Sequence, residues 1–186
     1  MKKFEELKFQ FENGLNLETS TYYLMDDIED YTIQNFLTFV EMLAIKKPDI
    51  KEVNLFLNSA GGSVPAMVCF LDIAEYLKKE KNILINSYAF GTAHSAAAII
   101  LAMSTGTRYA SKNSMIMFHE ISFFTAGSTT KLKRETEAIE KLQGRIIKQL
   151  SEKTGQTFDF WKDAFRDETW LFSEEAIELN VIDKII

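Results

Sequence analysis

The chain has 186 residues, the size of one ordinary domain, and at 46% hydrophobic and 26% charged it has the balance of a globular protein with a single sizeable core. Its formal net charge of −6 excludes an extended cationic groove for nucleic acid; the densest basic cluster, Lys131, Lys133 and Arg134, runs straight into Glu135, Glu137 and Glu140 and reads as a solvated helix face. The single cysteine, Cys69, excludes an internal disulfide and a multi-cysteine zinc site, and within the apolar run 66–71 it reads as a buried thiol.

Residues 1–10 alternate charged and apolar side chains and lack the apolar stretch of a signal peptide. Residues 7–11 and 15–24 read as strands around a turn at Asn13-Gly14. Residues 29–45 have helical spacing, with Ile33, Phe36, Leu37, Val40 and Leu43 on one side, and Lys46-Lys47-Pro48 ends the run. A short apolar strand over 53–57 leads into the turn 58–63. A helix follows over 64–79, with Met67, Phe70, Leu71, Ala74 and Leu77 inward. Residues 83–90 form another strand, Gly91 a turn, and 96–103 an apolar helix too short to cross a bilayer. A third core strand covers 114–118, a short apolar strand 121–124, and Gly127 closes it. Residues 129–152 make a long amphipathic helix on Leu132, Ile139, Leu142, Ile146 and Leu150. Its apolar positions are too many for a lone surface helix, so a contact with another subunit is expected. Two shorter helices close the chain, near 158–165 and 174–179, the second capped by Ser173. Strands alternating with helices predict right-handed βαβ units and a mainly parallel sheet. No membrane segment is expected, and the location is cytoplasmic.

Hydrolysis of a peptide by serine needs a base for the hydroxyl proton, a group that orients the base, and paired N–H donors for the oxyanion. Only two histidines are present. Ser95 follows a strand and a glycine turn at the start of an apolar helix, where N–H groups are free and the helix dipole favours developing negative charge. His119 ends a strand and is the candidate base. His94, adjacent to Ser95 on the turn, is expected to point elsewhere. The turn Asn58-Ser59-Ala60-Gly61-Gly62-Ser63 has two glycines that permit N–H groups to face a cleft. No Lys follows at phosphate-loop spacing, so the turn does not read as a nucleotide site.

Together and in this order, these segments resemble the Clp protease proteolytic subunit family, ClpP. Residues 58–63 are similar to its oxyanion loop. Gly91-Thr92-Ala93-His94-Ser95-Ala96-Ala97-Ala98 resembles its nucleophile motif, and Arg108-Tyr109-Ala110, Asn113-Ser114 and Met117-Phe118-His119 resemble the run to its catalytic histidine. Thr154-Gly155-Gln156 resembles the end of its handle helix, and Ala176-Ile177-Glu178 with Ile182-Asp183 its C-terminal helix. The resemblance runs from about residue 17 to residue 186.

The resemblance implies a ClpP/crotonase-like α/β fold of repeated ββα units with a mainly parallel core sheet. It implies one peptidase domain over residues 1–186, with 121–156 as the strand and handle helix for oligomerisation. It implies a serine endopeptidase in which Ser95 attacks, His119 takes the proton, and the N–H groups of Gly62 and Ala96 form the oxyanion hole beside substrate-binding Gly61, Ser63 and Ala97. The third triad member is Glu168 by ungapped counting from Ala176, or its neighbour Asp167. No metal or cofactor takes part, and ATP is used only by a separate AAA+ unfoldase. Implied partners are unfolded protein or peptide substrates and copies of the chain, in heptameric rings stacked as a tetradecamer. Nucleic acid and membrane are not among them.

Several positions depart from the family pattern. Ala60 stands for Pro, Ala96-Ala97 for Met-Gly, and Glu120-Ile121 for Gln-Pro; the segment 78–86 is about four residues longer, and the N-terminus matches poorly. The chain thus resembles a divergent, phage- or prophage-type member. Two other readings stay open: a catalytically inactive structural or regulatory subunit, and an acyl-CoA enzyme of the crotonase type.

Overall fold

The structure, a computed structural model, describes residues 2–186. Its frame is an eight-stranded, mostly parallel sheet in the path β1-β2-β3-β4-β5-β8, from β1 (Leu15–Asn16), β2 (Thr21–Leu24), β3 (Glu52–Ser59), β4 (Leu84–His94), β5 (Arg108–Ala110) and β8 (Lys184–Ile185). Strands β6 (Met115–Phe118) and β7 (Thr169–Phe172) branch from β4: β6 runs parallel to β4, and β7 antiparallel to β6. The central strand β3 alternates, with Val53, Leu55 and Leu57 fully buried and Asn54 and Phe56 partly exposed, as a sheet with two unlike faces requires.

The buried face packs against α2 (Asp30–Lys46), α3 (Val64–Tyr76) and α4 (Ala96–Met103). Phe36, Phe39, Leu43, Met67 and Phe70 fill the space between them. Helix α4 is apolar all round, with every residue from Ala96 to Ala102 buried, so it sits in the centre of the core rather than on its rim. Across the other face runs an aromatic row. Tyr23 stands 5.4 Å from Phe56, Phe56 4.9 Å from Tyr88, and Tyr88 4.5 Å from Tyr109, ring centre to ring centre.

Helix α5 (Thr129–Thr154) has 26 residues. At 1.5 Å per residue it is about 39 Å long. Only its last turns are buried, through Ile146, Ile147, Leu150 and Thr154. That end is anchored: the Trp161 indole donates to Thr154 Oγ1 at 2.9 Å, Lys153 Nζ to the Ser104 carbonyl at 2.9 Å, and Asn180 Nδ2 to the Thr154 carbonyl at 3.1 Å. Leu132, Ile139 and Leu142 stay only partly covered. The remaining α-helices are α1 (Lys2–Glu12), α6 (Phe158–Arg166) and α7 (Ser173–Glu178), and a short π-helical segment, Leu77–Lys81, continues α3.

Several expectations are corrected. Gly91, expected as a turn, lies within β4 at φ +77°. Residues 7–11 lie in helix α1, not in a strand: Phe4, Leu7 and Phe11 recur at helical spacing, and the helix stops where Gly14 turns to φ +63°. The hairpin then closes later, between Asn16 and Thr21. Residues 121–124 form no strand, because no neighbouring strand offers a ladder; Phe124 is 94% exposed. Cys69 is exposed rather than buried, because it points from α3 away from the inward stripe of Met67 and Phe70. Leu37 is likewise exposed, and Phe39 takes the inward place on α2. Ser173 is the first residue of α7 rather than its cap, and its hydroxyl donates to the Ser111 carbonyl at 2.7 Å.

Candidate active site

Strand β4 runs directly into helix α4, and Ser95 is the hinge between them, with φ +55° and ψ −122°. A non-glycine residue in that region costs on the order of 1–3 kcal/mol and persists only when its surroundings over-determine it. They do so here. The Ser95 N–H donates to the Met117 carbonyl at 2.7 Å, continuing the β4–β6 register, while the Ser95 carbonyl accepts from Ile99 at 3.2 Å and starts the helix. The hydroxyl is therefore presented at a sharp strand-to-helix corner, at the positive end of α4.

The second wall is the 58–63 turn. Gly61 and Gly62 adopt φ +107° and +145°. The Gly61 carbonyl accepts from the Ile28 N–H and the Ser63 N–H donates to the Ile28 carbonyl, both at 2.7 Å. Asn58 fastens the turn to β4 by accepting from the Thr92 N–H and hydroxyl, each at 3.1 Å. Gly61 then runs against the 94–96 backbone. Among the described residues, neither the Gly62 N–H nor the Ala96 N–H has a hydrogen-bond acceptor. The first is freed by the glycine turn, the second by its place in the first turn of a helix.

Ser95, His119, Gly62 and Ala96 line one small cleft of about 40 Å³, closed by Met67, Ile99 and Ile121. Ser95 and His119 are both half-buried, and among the described residues they share no hydrogen bond. Of the other predicted site residues, Gly61 lies against Ser95, but two have different work. The Ser63 hydroxyl caps α3 by accepting from Ala66 at 3.3 Å, and Ala97 is fully buried, its methyl group in the core and not in the cleft.

The two acidic candidates differ clearly. Asp167 is exposed and paired with Arg166, which donates to both its oxygens at 2.8 and 2.9 Å and holds its carboxyl below the usual carboxylate range. Glu168 precedes Thr169, which forms the last rung of the β6–β7 ladder with Phe118, and its backbone turns to φ +52°. The Glu120 and Glu168 N–H groups both donate to the Phe165 carbonyl, at 3.1 and 3.4 Å, tying the two segments together. The Glu168 carboxylate accepts from the Trp170 indole at 3.1 Å. The other histidine, His94, is turned away from the cleft: its ring meets Trp170 edge to face at 4.9 Å, and burial lowers its pKa.

Ile28, Met117, Phe165 and Trp170 all shape this site, and the first three carry no sequence signal of it. Three of them act through backbone groups, to which side-chain patterns are blind. Only Trp170 had a legible cue, its place two residues after the candidate acid.

The model of the Clp protease family matches residues 11–186. The mostly parallel sheet with its flanking helices is the fold expected of that family, whose members generally form oligomeric rings. With almost the whole chain covered by the match, this protein belongs to the Clp protease family.

Proposed function

We propose that the chain is a serine endopeptidase, with Ser95 as nucleophile, His119 as general base and Glu168 as the orienting acid. The observation that carries the reading is the strained corner at Ser95 in one cleft with His119 and two unpaired N–H donors. His119 takes the Ser95 proton as Oγ bonds to the peptide carbonyl carbon, and the oxyanion is met by the Gly62 and Ala96 N–H groups. Collapse of the tetrahedral adduct breaks the C–N bond, His119 returns its proton to the leaving amine, and an ester remains on Ser95. Water then repeats the sequence, giving up a proton to His119 and releasing the acid. Glu168 holds the imidazole tautomer and stabilises imidazolium. Nothing in this scheme needs a metal or cofactor.

The reading extends to assembly. Helix α5 leaves most of its length without a partner, and Phe123 and Phe124 beside it are exposed, which suits contact between copies in heptameric rings stacked face to face. Unfolded protein or peptide would be cleaved inside the chamber, delivered by a separate ATP-dependent unfoldase.

A fluorophosphonate probe tests the chemistry. Wild-type protein is expected to be labelled at Ser95, found by peptide mapping, and Ser95→Ala to be unlabelled; equal labelling of the two removes the assignment. A second reading, a ring subunit without turnover, is favoured by the absence of a Ser95–His119 hydrogen bond among the described residues. It predicts ring assembly with no labelling of the wild type.

A further inference from the structure

We propose that Trp170 is a positioning residue that aims the Glu168 carboxylate at His119 through its indole N–H. This rests on the peptidase reading of Ser95, His119 and Glu168. Glu168 is exposed, and its backbone has left the strand at φ +52°, so packing does not fix its long side chain. The indole does, with Nε1 donating to Oε1 at 3.1 Å. Register supplies the direction. Trp170 pairs with Met117 and Thr169 with Phe118, the last rung of the ladder, and Glu168 and His119 are the residues that adjoin that rung on the two strands. The Phe165 carbonyl, which accepts from the Glu120 and Glu168 N–H groups, keeps the two segments together after the strands end.

The choice of donor matters chemically. Arg166 is engaged with Asp163 at 2.7 Å and with Asp167 at 2.8 Å, so its charge is directed away from Glu168. An indole orients a carboxylate without neutralising it, and it leaves the second oxygen free to accept from the imidazole. Trp170 is itself braced. His94 lies in register with Met117 and packs on the indole at 4.9 Å with the rings at 74°. Among the described residues the His94 Nε2 is buried without a partner, which suits a neutral ring that offers Glu168 no competing cation. His94, set directly before the nucleophile, thus serves the site from behind, through Trp170.

The test uses the full-length protein, a fluorogenic peptide and pH profiles of kcat/KM. Two changes at position 170 remove the donor: Trp170→Phe, and benzothienylalanine, which keeps the bicycle and replaces N–H with sulfur. Both are expected to lower kcat roughly tenfold, the effect of one lost hydrogen bond, with KM within about twofold. The acid limb should move down by about half a pH unit, because a poorly aimed carboxylate stabilises imidazolium less. In a Glu168→Gln background neither change should have further effect. Unchanged kcat and acid limb in both variants overturn the aiming role alone. So does a loss that leaves the acid limb in place and recurs in the Glu168→Gln background, which marks a packing role. Failure of the fluorophosphonate probe to label wild-type Ser95 overturns the peptidase reading itself, and this role with it.

Discussion

Gly61 runs so close to Ser95 that an added Cβ would meet the Ser95 Cβ at 2.7 Å and the His94 carbonyl oxygen at 2.9 Å. The φ of +107° at Gly61 adds backbone strain for any other residue. The alanine must therefore push the 58–63 turn off the Ser95 corner. Gly61→Ala is expected to cut the rate of fluorophosphonate labelling about a hundredfold or more, the scale of a lost oxyanion donor. The melting temperature should fall as well, by the equivalent of about 1–3 kcal/mol. Labelling kinetics and thermal melts check both.

Arg108 and Asp183 lock the C-terminal strand. The Asp183 carboxylate accepts from Arg108 Nε at 3.0 Å and from its backbone N–H at 2.8 Å, and the guanidinium also donates to the Asn180 carbonyl at 2.6 Å. These bonds hold the Asp183 carboxyl below its usual range. The arginine side chain is only 6% exposed but the aspartate 38%, so solvent screens part of the attraction. Asp183→Asn should cost about 2 kcal/mol near neutral pH. A depressed carboxyl contributes above the unfolded value, about 3.9, and its contribution fades as pH falls through the folded value. Urea unfolding of wild type and Asp183→Asn should therefore differ at pH 7 and converge as pH falls through the lowered folded value.

His94 has the same sign of pH dependence, in a higher pH window. Burial lowers its pKa, so the unfolded chain takes up the proton more readily than the folded one. Stability is then lost as pH falls below the unfolded value of about 6.5. His94→Phe removes that proton uptake while keeping an aromatic ring against Trp170. Between pH 7.5 and pH 5.5 the melting temperature of the wild type should drop further than that of His94→Phe. Parallel drops in the two proteins would contradict the burial argument.

Phe124 is 94% exposed and opens the segment leading into the uncovered part of α5. An apolar ring there costs the lone subunit nothing to lose. Phe124→Asp is expected to shift sedimentation from ring-sized particles to smaller species. The subunit's own unfolding should stay within about 0.5 kcal/mol, as for surface substitutions. Unchanged sedimentation would place the subunit contact elsewhere.

The elements most legible in the sequence are those whose signal is local. Helix α4 was expected over 96–103 and has those bounds, because a continuous apolar run between Ser95 and Ser104 leaves little choice of ends. Helix α2 was expected one residue early at each end. Residues 7–11 misled because Phe9 and Phe11 alternate as in a strand, while the helical spacing became clear only with Phe4 and Leu7 included. The run 121–124 misled because strand character needs a ladder, and a ladder is a property of the neighbour, not of the segment.

At the candidate site the division is the same. Sequence alone determined which side chains have the chemistry, Ser95 and His119, and which turn has the glycines to approach them, Gly61-Gly62. It also ordered them along the chain in the manner of one family. Tertiary structure alone decided that Ser95 turns through a positive φ pinned by the Met117 carbonyl and that Ile28 holds the 58–63 turn. It also gave the two candidate acids different surroundings: Arg166 pairs with Asp167, while Glu168 adjoins the last rung of the β6–β7 ladder. The physical reason is that these choices are made by backbone hydrogen bonds and ladder register. They link residues as far apart in the chain as Met115 and Phe172 and leave no mark on residue type.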